Sequence, residues 1–162
     1  MIYDVLRALQ EKLSQDVPAI KYIDEDWGQL DYYADNPPIK FPAVLVEIGQ
    51  AQWKNQGRLS QDGQMMVSLM VADMKLNNTS GRAPEAQKTG SKSIWQMLND
   101  IHVSLHGWNP QIEGFGLFSR VSSRRIKRED GIREIEVVYA IGFTDHSAHI
   151  QEQSAATTVR FV

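Results

Sequence analysis

The chain predicts an α+β fold, a mainly antiparallel sheet packed with two helices. Three observations carry that reading. Two segments, 2–15 and 93–106, place apolar residues at helical spacing. Three segments alternate with period two, the pattern of strands. The last of these belongs to a hairpin, 117–144, that closes the domain through Glu129-Asp130-Gly131. Asp-Gly between β-rich runs is a strong hairpin signal, because Gly accepts the positive φ of the turn.

In the first helix the stripe is Ile2, Val5, Leu6, Leu9 and Leu13, and Pro18 stops it. A short strand is expected within 19–24. Residues 24–41, rich in acids and aromatics with a Pro-Pro pair, read as a long loop. Trp27, Tyr32 and Tyr33 are anchor-type residues there, and we expect them to bind a protein partner or to pack down on the body.

Pro42 opens a strand with Val44, Val46 and Ile48 on one face, running towards Trp53. Residues 54–63 hold two Gly and read as a turn or flexible tip. Residues 64–73 form the next strand, with Met65, Val67, Leu69 and Val71 on one face and Met66, Ser68, Met70 and Ala72 on the other. Both faces are apolar, as in a strand covered on both sides by its own helices or by a neighbouring subunit. Met66 and Met70 are therefore expected at an oligomer interface, since methionine adapts to a partner surface.

Residues 77–93 read as a loop. The helix at 93–106 buries Ile94, Met97, Leu98, Ile101 and Leu105, with Gly107 as its cap and Pro110 beyond. Residues 107–116 are a turn-rich link. In the hairpin, Ile135, Val137, Tyr139, Ile141 and Phe143 share one face. A two-residue turn sets Arg120 and Arg124 opposite apolar residues. A three-residue turn with Gly131 left-handed sets Val121 and Ser123 opposite Tyr139 and Val137, and Arg124 opposite Glu136. The second register is expected, because register follows the buried face.

Length and composition suit one domain, 1–145, followed by an arm, 146–162. The arm starts polar and ends in a β-prone cluster containing Phe161, expected at the oligomer interface as an added strand. The net charge of −3 argues against nucleic-acid binding by the molecule as a whole. The local exception is 123–128, where Arg124, Arg125, Lys127 and Arg128 are expected to face solvent, passing DNA or an acidic subunit. With no cysteine, disulfides and thiolate metal sites are excluded. No phosphate loop, dinucleotide fingerprint or GxSxG occurs. His102/His106 and His146/His149 lack a full ligand set, so no metal, cofactor or catalytic residue is expected. No apolar run is long enough to span a membrane, and the first residues read as an amphipathic helix, not a signal peptide.

The order of segments resembles the tail-terminator and tail-completion proteins of tailed bacteriophages, the group that includes the minor tail protein U of phage lambda. The resemblance is carried by IYDVLRALQEKL, KFPAVLVEIG, GQMMVSLMVAD, SIWQMLNDIHVSLHG and the closing hairpin, roughly residues 2–145. It implies a small α+β subunit of a sixfold ring that ends the tail tube and faces the head connector. Its partners would be further copies of itself, the tube protein and the connector, in the virion after assembly in the host cytoplasm. The loop 24–41 and the arm fall outside the shared pattern. A neck subunit and a small nucleic-acid-binding module are the alternatives.

Overall fold

The computed structural model describes residues 2–32 and 39–149. Its elements in chain order are α1 (Ile2–Asp16), β1 (Tyr22–Glu25), a 3-10 turn (Gln29–Tyr32), β2 (Ala43–Asn55), β3 (Gln61–Met74), α2 (Glu85–Ser91), α3 (Ser93–Leu105), β4 (Phe115–Ile126) and β5 (Ile132–Asp145). The five strands form one sheet in the order β1-β2-β3-β5-β4. Every neighbouring pair is antiparallel except β1 with β2. The expected α+β class is what the structure shows.

Alternation on β3 and β5 decides which face is buried. Met65, Val67, Leu69 and Val71 are fully buried in one cluster with Ile135, Val137, Tyr139, Ile141 and Phe143. Above them lie Val5, Leu6, Leu9 and Leu13 of α1 and Ile94, Met97, Ile101 and Leu105 of α3. Each such side chain contributes about 1.5–3 kcal/mol over its exposed state, far more than local propensity does. A one-residue slip of either strand would put the whole row into water. The helices are also tied across their outer faces, where Ser104 donates to Asp16 at 2.8 Å and Lys12 pairs with the same carboxylate.

Among the described residues, the second face of the sheet carries no α-helix. A smaller cluster of Leu30, Ile39, Ala43, Leu45, Ala72 and Ile132 covers one end of it, with Met70 packed against it. The loop after β1 thus covers part of the sheet. Glu134 is buried beneath it.

Several expectations are corrected. The loop at 77–93 contains α2. This helix buries no residue, so its sequence carries no apolar stripe to announce it. The tip at 54–63 shrinks to 56–60, and Gly63 lies inside β3. A Cβ there would stand 2.3 Å from the Phe143 ring, so glycine makes room for that ring and for Trp53 packed edge-on against it. In the hairpin, Ser123 opposes Val137, Arg124 opposes Glu136 and Gly131 has φ +80°, as expected. Val121 does not oppose Tyr139. The register shifts between Arg120 and Ser122, so Arg120 takes that place and Val121 is left exposed. The link is also longer than three residues, running from 127 to 131.

The Tyr139 hydroxyl is buried without a hydrogen-bond partner among the described residues, and burial pushes its phenol up to about 12. The fold therefore favours the neutral phenol. That part of the stability is intact below pH 10 and is lost as pH rises toward 12. Tyr139→Phe removes an unsatisfied hydroxyl from the core. Its unfolding midpoint at pH 7 should equal or exceed that of the parent protein, and it should lose less stability between pH 10 and 12. Denaturant unfolding across that range checks both.

Candidate functional site

The strand expected to face a polyanion is β4. It is an edge strand, paired only with β5, and its second half is exposed on both faces. Its charges do not act together. Arg124 is held by Glu136 across the ladder. Arg128 turns inward, with its side chain only 15% exposed. It contacts Asp130 at 2.7 Å, Asp31 at 2.9 Å and Glu134 at 3.0 Å, and donates to the Leu30 carbonyl. Hydrogen bonding from Arg128, and then from the Ile132 amide, holds the Asp130 carboxyl below the usual range despite some burial. The expectation that Arg128 faces DNA is therefore corrected: three carboxylates claim it. It fastens the 3-10 turn and the hairpin link to the sheet. Arg125 and Lys127 remain exposed, with no acidic partner among the described residues.

The loop residues divide. Gln29 and Leu30 are buried, whereas Trp27 and Tyr32 stand 65% and 64% exposed. The Gln29 side chain accepts from the Trp27 amide and donates to the Glu25 carbonyl, which props this segment beside the end of β1. Tyr33 lies outside the described residues, as does Phe161.

Met66 and Met70 share the second sheet face, as their spacing predicts, and both are half-buried. Met70 packs under the loop cluster. Met66 lies beyond that cover, opposite Ala140, with Val138 beside it. Nothing among the described residues covers this part of the sheet.

The histidines form no ligand set. His106 is the C-cap of α3, and its Nδ1 accepts from the Arg120 amide. Burial, then the charges of Arg120 and His106, lower the pKa of His102. The Ser60 hydroxyl lies 3.1 Å from ring nitrogens of both His146 and His149, and its single proton can serve only one of them. Among the described residues no group of three or more His, Asp or Glu could hold a metal, and no helix is long and apolar enough to cross a membrane.

Sequence reasoning missed one feature, a groove between α3 and β4. It has two clefts, of about 270 and 170 Å³, that share Trp95 and Ile135 in their walls. The smaller is also lined by Lys75, Thr79, Arg125 and Arg133. The one signal available was Trp95 itself, an aromatic off the apolar stripe of its helix.

No family model matches the chain, and no curated protein matches it. The architecture is that of a small α+β domain, and it has a counterpart among solved structures. The fold is similar to that of a chain in a structure described as the virion of a native gene transfer agent particle, with a TM-score of 0.52. The match covers 87% of this chain and 95% of that one, at 10% sequence identity.

Removing Arg128 leaves Glu134 buried without its counter-charge. Arg128→Met should cost about 3–5 kcal/mol of unfolding free energy. Arg128→Met combined with Glu134→Met should cost less than the single change, because no buried charge is then left unpaired. Urea unfolding of the two variants measures the difference.

Proposed function

We propose that this protein is a structural subunit of a virion, one that caps a phage tail tube as an oligomeric ring. In that role it ends tube growth and presents the surface that joins tail to head. The fold carries the reading: a particle-forming virion contains a chain of the same architecture, matched over nearly the whole of both. The finer role rests on the order of elements shared with tail terminators, and on the surfaces described above.

A bare, apolar stretch of sheet around Met66 suits burial against another subunit. The exposed Trp27 and Tyr32 suit a contact with a second protein, the tube or the connector. The basic strand gives little support to a nucleic-acid module, because Glu136 matches Arg124 and three carboxylates enclose Arg128.

The test is the mass of the purified protein, by light scattering and native mass spectrometry, with and without tail tubes. A hexamer that binds tube ends supports the reading; a monomer that ignores tubes refutes it. Met66→Asp should stay folded by circular dichroism and fail to form rings, since an interface does not bury a lone charge. Rings of unchanged mass would place the interface elsewhere.

A further inference from the structure

The smaller cleft has a basic lining. Lys75, Arg125 and Arg133 converge on it beside the Thr79 side chain and the indole of Trp95. Arg133 is the built part of the site. Its side chain is only 10% exposed, one terminal nitrogen meets Asp73 at 2.9 Å, and another donates to the Ser91 carbonyl. Its Nε is buried with no acceptor among the described residues, although a buried N–H normally finds one. Asp73 therefore answers one of three cations. At about 170 Å³ the cleft has room for a single oxyanion.

The molecule displays a complement to this cleft at its other edge. Glu25 ends β1, is exposed, and is followed by Asp26 and the exposed Trp27. Glu25 pairs with Val46 and Arg125 with Ile135, and both partners belong to the core under the helices. Glu25 and Arg125 thus lie on the helix-bearing face, at opposite edges of one sheet. A chain cannot bring its own two edges together, but two copies can.

We propose that the cleft takes the Glu25 carboxylate of a second copy, with Trp27 of that copy set against Trp95, so that subunits associate head to tail. This rests on the ring reading above and names the contact that would build it. Such a contact is heterologous, and it closes into a ring when the rotation between copies closes. A neighbour wrapped around the β4 edge would also cover the exposed Leu117 and Val121 of that strand.

The test is charge exchange at these two exposed positions, read by sedimentation and light scattering, with unfolding curves to confirm intact folds. Arg125→Glu or Glu25→Arg alone should weaken self-association about 30-fold or more, as losing one side of a desolvated charge pair does. Both changes in one chain should restore the ring. A 1:1 mixture of the two single variants should also form rings, with the two variants alternating, because native Glu25–Arg125 contacts and reversed contacts between the two substituted residues then follow one another.

Single variants that form rings like the parent overturn the contact and leave the ring reading standing. A parent protein monomeric at every concentration overturns both. Singles that keep their rings but lose affinity for a short duplex DNA would assign the cleft to phosphate and also overturn the proposal.

Discussion

The structure depends on β3, which pairs with β5 along its whole length, from Gln61 to Met74, and with β2 from Gln61 to Ala72 apart from a register shift at Met66. Its odd-numbered residues from Met65 to Val71 are all fully buried beneath α1 and α3. Both large helices are spent on that one face. The other face must therefore be covered by something that is not a helix, or be left open. The loop after β1 covers one end, and no described residue is laid over the half-buried Met66. The surfaces available for assembly follow from this uneven supply of cover.

Covering the lower end of the sheet with a loop brings its own difficulty. A loop has few apolar groups, and among the described residues of that segment Leu30 and Ile39 enter the small cluster, with Phe41 packed against it. Arg128 supplies the rest. Its guanidinium joins the 3-10 turn through Asp31 and Leu30, the hairpin link through Asp130, and the sheet through Glu134. Buried ion pairs often break even against apolar packing. The gain here is positional, since one side chain fixes three segments that would otherwise meet only loosely. The same bonds consume a cation that the sequence offers as part of a basic strand.

Periodicity made the two-layer plan legible. The alternation of β3 and β5 and most of the stripes of α1 and α3 bury the residues their spacing names; Ile2, at the start of α1, is exposed, and Leu98 is half-buried. Four features were beyond it, each for a physical reason. The α2 helix buries nothing, so it has no period to read. The shift at Val121 adds a residue to one strand, which alternation cannot announce. Gly63 looks like a turn residue but serves the close approach of the Phe143 ring. Arg128 looks like its basic neighbours, because residues distant in sequence supply two of its partners, Asp31 and the Leu30 carbonyl. The candidate site was legible in part. Met66, Trp27 and Tyr32 stand where their spacing or composition suggests, whereas the cleft at Trp95 is made by α3, the segment after β3 and two strands together.

The two edges of the sheet make the last step of the argument. An edge strand exposes unpaired amides and carbonyls and invites pairing with any other strand, and proteins blunt it with charge. Here the two edges are blunted with opposite signs. Acids end β1, and arginines line the far half of β4. Like edges of two copies repel, so indiscriminate stacking in the isologous sense is disfavoured. Unlike edges attract, and only in the head-to-tail sense. The charge pattern that protects each edge from aggregation thus also selects one partner for it. That selection is most effective where the charge is least neutralised by its own chain, at Arg125 and Lys127 on one edge and Glu25 on the other.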